Sequence, residues 1–279
     1  MHKHLKFLGL ALLMACGPRQ QTIAPPVAQA DEAAAPSSAA VVERQLAQQS
    51  VDAVIYHHAS AETYRLFQQG YELARLRLDA NLAVAKAPPA VIVDVDETVL
   101  DNSKYQVRAA YDGTTFDPVT WTAWCNEAAA PALPGALEFL KYAAGQGCTV
   151  FYITNRNEAE KEATVRNLAE LGFPNADAGH VRVMTEGSDK TTRRAAVKAA
   201  GYEVVLLVGD QLTDFDQRLK HRTVGERDLG VREGLADSLA QYFILLPNPM
   251  YGTWLDFVTG RDMEDKLFRK NAWLYEHTH

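Results

Sequence analysis

Apolar residues recur along this chain with two different periods. Between residues 41 and 85, Val51, Val54 and Ile55, then Tyr64, Phe67, Tyr71, Leu78 and Leu82, return at the spacing of one helix face. Ser60, with Glu62 in the turn that follows, marks a helix start inside this stretch. Pro88 and Pro89 close it. Beyond them, short apolar runs at 90–95, 148–154, 181–185, 203–209 and 242–246 read as buried strands. Helical patterns at 134–146, 158–171 and 189–200 fall between the runs. Such alternation predicts a parallel sheet joined by right-handed crossovers. Residues 101–131 break the alternation and are rich in aromatics: Tyr105, Tyr111, Phe116, Trp121 and Trp124. Asp117-Pro118 is a helix start with proline at the first helical position. An insertion directly after the first strand sits over the sheet edge where ligands gather. One more helix is predicted over 262–277.

The N-terminus has a different character. Lys3 and Lys6 precede a short apolar stretch from Phe7 to Ala15, too short to span a membrane. Leu13-Met14-Ala15-Cys16 resembles a bacterial lipobox, in which the cysteine becomes the lipidated first residue. The chain from 16 to 40, rich in Ala, Pro, Gln and Ser, cannot build a core and reads as a tether. By resemblance to enterobacterial lipoproteins, Gly17 after the cysteine favours the outer membrane, with the domain periplasmic or surface-facing. Cys125 and Cys148 fall in different predicted elements and read as two separate buried thiols. A formal charge of −7 argues against a nucleic-acid polymer as partner.

The chemistry concentrates at four strand ends. The first strand runs into Asp94-Val95-Asp96-Glu97-Thr98. Thr154-Asn155-Arg156 follows the second, Lys190 lies beyond the third, and Gly209-Asp210-Gln211-Leu212-Thr213-Asp214 follows the fourth. Two carboxylates one residue apart repel unless a cation or an acid/base task separates their charges. A phosphoryl group, with charge on its oxygens, needs cations and donors around it. The pattern therefore assigns Asp94 as nucleophile and Asp96 as proton donor and acceptor. Asp94, Asp210 and the backbone carbonyl of Asp96 would ligate Mg²⁺, with Asp214 binding directly or through a water. Lys190, Thr154 and Asn155 would hold the phosphate. Arg156 is open between phosphate binding and a structural ion pair. Glu97 and Asp101 read as polar loop residues. His57 and His58, adjacent on a helix and about 100° apart, lack the geometry of a two-histidine metal site and read as surface or packing residues.

These residues resemble the haloacid-dehalogenase-like phosphatases of the four-aspartate superfamily. The extended run Asp94 to Ser103, Trp121-Thr122-x-Trp124, Pro134-Gly135-Ala136, Lys190-Thr191-x-Arg193, Asp210 with Asp214-Phe215, Leu246-Pro247-Asn248 and Tyr251-Gly252-x-Trp254 narrow the resemblance to the bacterial class C acid phosphatases, the lipoprotein 5'-nucleotidases. Gln211 and Thr213 depart from the Asn and Asp usual there, which puts the tuning of the metal in question. The resemblance implies a doubly wound α/β core with a smaller helical cap. It also implies Mg²⁺-dependent hydrolysis of phosphomonoesters, nucleoside 5'-monophosphates or nicotinamide mononucleotide among them. Trp124 and Tyr251 would sandwich the leaving group, supported by Trp121 and Trp254.

The expected organisation is a signal peptide over 1–15, a lipid-anchored linker over 16–40, and N-terminal helices over 41–87 contributing to the cap. A core over 88–261 carries the 101–131 insertion, and 262–279 holds the last helix. Expected partners are small phosphomonoesters and a membrane reached through Cys16; a homodimer is the assembly considered. The rival reading is a lipid-anchored haem-binding or adhesion protein on a phosphatase scaffold. Asp94 speaks against it, since a pure binder has no use for a nucleophile.

Overall fold

A computed structural model describes residues 37–220, 222–258 and 262–278; Cys16, the signal segment and most of the linker lie outside them. Five parallel strands form one sheet: β1 (Pro89–Val93), β2 (Thr149–Ile153), β3 (Val181–Arg182), β4 (Glu203–Gly209) and β5 (Phe243–Leu245). All five fall within the apolar runs read from the sequence, except that β1 begins one residue earlier. Their order is β3-β2-β1-β4-β5. The chain therefore winds outward on one side of β1 and then crosses to the other. The reversal lies between β1 and β4, where their carboxyl ends leave a crevice.

Twelve α-helices surround the sheet among the described residues: α1 (Ser38–Gln48), α2 (Val51–Ala59), α3 (Ala61–Leu82), α4 (Ser103–Asp112), α5 (Pro118–Glu127), α6 (Ala136–Gly145), α7 (Lys161–Glu170), α8 (Thr191–Ala199), α9 (Leu212–Phe215), α10 (Val224–Leu229), α11 (Ala236–Gln241) and α12 (Met263–Glu276). Side chains alternate across a strand, so each face receives its own set. Val91, Val93, Val150, Tyr152, Leu206 and Val208 enter the main core with Phe67, Tyr71 and Leu78 of α3, Phe139 and Leu140 of α6, and Leu168 of α7. Ala90, Ile92, Phe151 and Ile153 face the other way, against Val197 of α8. Helices on both faces make the doubly wound α/β architecture that was expected.

The N-terminal helices divide between two tasks. Helix α3 starts at Ser60, whose Oγ accepts from Thr63 N at 3.0 Å. Its buried stripe Phe67, Tyr71, Ala74, Leu78 packs it onto the sheet as a core helix. Helix α1 instead lies against α12, and α2 against α4. Helix α5 begins as read: Asp117 Oδ1 accepts from Val119 N and Thr120 N, both at 2.9 Å, with Pro118 following. Cys125 and Cys148 are buried and unbridged. Among the described residues no helix is long and apolar enough to cross a membrane.

Candidate active site

Asp94 is the first residue past β1, and its N–H still donates to Val208 O of β4 at 3.0 Å. Asp210 is the first past β4. The topological reversal thus sets two carboxylates side by side. Asp214 joins them from α9, where Gln211 N donates to its Oδ2 at 2.9 Å. Oxygens of Asp94, Asp210 and Asp214 lie within 4.8 Å of one another. Gly209 makes this approach possible: a Cβ there would come within 2.5 Å of Asp214 Oδ2.

Lys190, the residue before α8, reaches into the cluster. Its Nζ pairs with Asp94 Oδ1 and lies 2.7 Å from Asp214 Oδ1. All four side chains are buried. Burial raises the Asp94 carboxyl to about 7; Lys190 opposes the rise, while Asp214 and Asp96 add to it. Burial, followed by the charges of Asp214 and Asp94, also lifts Asp210 well above the carboxylate range. Burial works against the Lys190 ammonium, but Asp214 and Asp94 outweigh it and hold its pKa above the ordinary value.

Asp96 takes no part in that cluster. Its Oδ1 accepts from Arg156 Nε at 2.9 Å, Arg156 NH2 at 2.8 Å and Asn102 Nδ2 at 2.9 Å. Its Oδ2 accepts from Thr154 Oγ1 at 3.2 Å. Arg156 is 2 % exposed and forms an ion pair with Asp96, whose side chain is 17 % exposed, so the structural role left open by the sequence is filled. Asn102 Oδ1 in turn accepts from Trp124 Nε1 at 2.8 Å. Asn102 belongs to the run Asp94 to Ser103, but the sequence assigns it no role of its own.

A cavity of about 590 Å³ opens above these groups. Asp94, Asp96, Asn155, Arg156, Lys190, Asp210 and Asp214 line it. Phe116 and Trp121 of the insertion, Tyr251, and Met263, Lys266 and Lys270 of α12 line it as well. Two expected contacts are misplaced. Thr154 is fully buried beneath the lining, holding Asp96. Trp124 is 3 % exposed and lies outside the lining, because its indole is committed to Asn102. Trp121, named only as support, takes the position expected of Trp124.

Gln211 fills the role left open by its departure from the usual asparagine. Its Nε2 donates to Asp210 Oδ2 at 2.7 Å and to Tyr251 O at 3.3 Å, while its Oε1 accepts from Thr253 N at 2.9 Å. Asn248 Nδ2 donates to the same Asp210 oxygen at 2.7 Å. One side chain thereby ties Asp210 to the Tyr251 loop. Gly252, at φ 148°, is required here: a Cβ would fall 2.3 Å from the Gln211 amide.

Carboxylates from two strand ends, with a buried lysine at the reversal of a doubly wound sheet, define a haloacid-dehalogenase-like protein. More narrowly, the chain belongs to subfamily IIIB of the HAD superfamily, the acid phosphatases, whose family model matches residues 19–254. The class C acid phosphatase from Bacillus anthracis superposes with a TM-score of 0.74 at 35% sequence identity, covering 82% of this chain and 97% of that one. Its structure with tungstate bound gives 0.73 and 34%, over 81% and 97%. Acid phosphatase 1 of Solanum lycopersicum is 31% identical over 169 residues, 57% of each chain. The stem 28 kDa glycoprotein of Glycine max is 25% identical over 166 residues, 57% of this chain and 58% of its own. The chain thus spans little more than half the length of these curated relatives.

Phosphatases of this superfamily generally use a divalent metal. The donor set here fits one: three buried carboxylates, all oxygen, close enough to share a small hard cation.

Proposed function

We propose that this protein is a Mg²⁺-dependent acid phosphatase that hydrolyses nucleoside 5'-monophosphates, or nicotinamide mononucleotide, through an aspartyl-phosphate. The observation that carries this reading is the Asp94–Asp210–Asp214 cluster with Lys190 in its midst, lining a cavity that Phe116, Trp121 and Tyr251 also line.

Asp94 is the nucleophile. Its free oxygen attacks phosphorus, an acyl-phosphate bond forms, and the ester P–O bond on the opposite side breaks. Asp96 delivers the proton to the leaving oxygen. It then takes a proton from the water that attacks the aspartyl-phosphate, returning Asp94 as carboxylate. Arg156, Asn102 and Thr154 hold Asp96 at fixed orientation for both transfers. Lys190 keeps a positive charge beside Asp94 as the dianionic ester approaches. Asn155, whose Oδ1 accepts from Arg193 NH2 at 2.7 Å, lines the cavity and has its amide N–H donors left for the phosphate. Asp94, Asp210 and Asp214, with the carbonyl of Asp96, would hold Mg²⁺, which would supply charge neutralisation on the phosphoryl oxygens. Trp121 and Tyr251 offer ring faces to a base or nicotinamide leaving group.

The reading extends to location. The lipobox ending at Cys16 and the tether behind it support a lipoprotein of the cell envelope, retained at the outer membrane. Salvage fits that setting, because a nucleoside crosses membranes after its phosphate is removed. A Cys16→Ser chain should be released into the soluble fraction; membrane retention of that chain would contradict the anchor.

Phosphate release from a mononucleotide with Mg²⁺ tests the chemistry, comparing the domain with its Asp94→Asn variant. The expected result is activity that vanishes in the variant and a ³²P label on the wild type that is trapped by acid quench. Equal and negligible rates in both would sink the phosphatase reading and favour the haem-binding or adhesion alternative.

A further inference from the structure

The sequence reading set aside His57, Glu97 and Asp101, yet the fold brings them together. His57 comes from α2, and Glu97 and Asp101 from the loop after β1. We infer that these three side chains form a second cation site, separate from the phosphatase cluster, that takes a divalent transition metal of the zinc class.

The geometry carries the inference. One ligand atom from each of the three lies within 4.8 Å of the others. His57 is 5 % exposed and Glu97 is fully buried. Neither ring nitrogen of His57 has a hydrogen-bond partner, and neither does Glu97 Oε2. Buried polar atoms almost always find a partner, so three orphans at one spot call for an occupant. The neighbouring His58 is different: its Nδ1 lies 2.7 Å from Ser103 Oγ, which leaves His57 as the imidazole available.

The carboxylates are already oriented, as metal-binding carboxylates are by their outer hydrogen bonds. Glu97 Oε1 accepts from Asn102 N at 2.8 Å, leaving Oε2 for the ion. Asp101 Oδ1 accepts from Ser103 N at 2.8 Å. Glu97 also sits in the left-handed region at φ 54°, a conformation few non-glycine residues adopt, held by its N–H donating to Leu100 O at 3.0 Å. The His57 ring is fixed edge-on to Phe67, with centroids 5.6 Å apart.

Donor chemistry selects the ion. Mg²⁺ favours oxygen donors and several waters, as the phosphatase cluster offers. One imidazole with two carboxylates favours zinc, or cobalt in its place, with a water in the fourth position beside half-buried Asp101. Such an ion would pin α2 to the loop that carries Asp96, making it a positioning device.

Cobalt is the probe. Chelated, dialysed wild-type protein titrated with Co²⁺ should bind two equivalents and develop the intense visible absorption of four-coordinate, imidazole-ligated cobalt. An Asp210→Asn variant, with the phosphatase cluster crippled, should keep that absorption and one equivalent. A His57→Gln variant should lose the absorption and keep the other equivalent. Absorption that disappears in Asp210→Asn, or persists in His57→Gln, overturns the inference. If His57→Gln does not fold, the Asp210→Asn titration decides alone: no bound cobalt with imidazole-type absorption means a buried water or proton occupies the site.

Discussion

Arg156 and Asp96 meet as a fork: NH2 stands 2.8 Å and Nε 2.9 Å from the same Asp96 oxygen. The pair sets the one carboxylate at the site that the Asp94–Asp210–Asp214 cluster does not share. Its partners Asn102 and Thr154 complete a cradle that reaches back through Trp124 into the insertion. Asp96, the proposed proton-transfer group, is therefore oriented by side chains from three separate stretches of chain.

Loss of that fork should be read in turnover. Arg156→Lys keeps the charge and loses the two-point geometry. A displaced catalytic group costs on the order of 10²-fold, so kcat should fall by about that factor with KM little changed. Arg156→Met removes a buried partner but leaves Asp96 17 % exposed with two donors, so it should destabilise by about 1–3 kcal/mol in denaturant unfolding. If Arg156→Lys raises KM alone, the guanidinium contacts substrate instead.

Stability should depend on pH through the carboxylate cluster. The folded Asp94 carboxyl is raised by burial from 3.8 to about 7, and Asp210 is raised as well. In the metal-free protein both hold protons that the unfolded chain has released. The sign follows from linkage: their contribution is full below the unfolded pKa and is lost as pH rises through the folded one. With a chelator present, wild type should lose Tm relative to Asp94→Asn as pH climbs from about 4 to about 7. A cation such as Mg²⁺ would bind the ionised form, so it should raise the wild-type Tm more at neutral than at acid pH. Parallel pH profiles for the two proteins would contradict the coupling.

The two tryptophans of the insertion should separate in kinetics. Trp121 lines the cavity, packed edge-on against Tyr105 with centroids 5.2 Å apart. Base stacking is worth about 1–3 kcal/mol, so Trp121→Ala should raise KM for a mononucleotide roughly tenfold and much less for a small alkyl phosphate. Trp124→Phe keeps a ring and removes only the donor to Asn102. It should lower kcat through Asp96 and leave substrate preference intact. A change of preference in Trp124→Phe would return that residue to the substrate.

The sequence by itself determined the sheet, the motif positions and the family. Its five apolar runs are contiguous and its motifs lie within a few residues of strand ends, so local periodicity and spacing were enough. Asp94, Asp210 and Lys190 were legible because each follows a strand or opens a helix in a parallel sheet. The tertiary structure decided what depends on contacts between distant stretches. Arg156 could face phosphate or Asp96 until the fold placed it 2.8 Å from the latter. Trp121 and Trp124 are three positions apart on one helix, and neighbours at that spacing share a face. Which of them meets the cavity and which meets Asn102 was set by packing. Gln211 reaches Thr253, and His57 meets Glu97, across separations that no periodicity records. Helix α3 looked like its cap neighbours because amphipathic spacing names a buried face without naming what buries it.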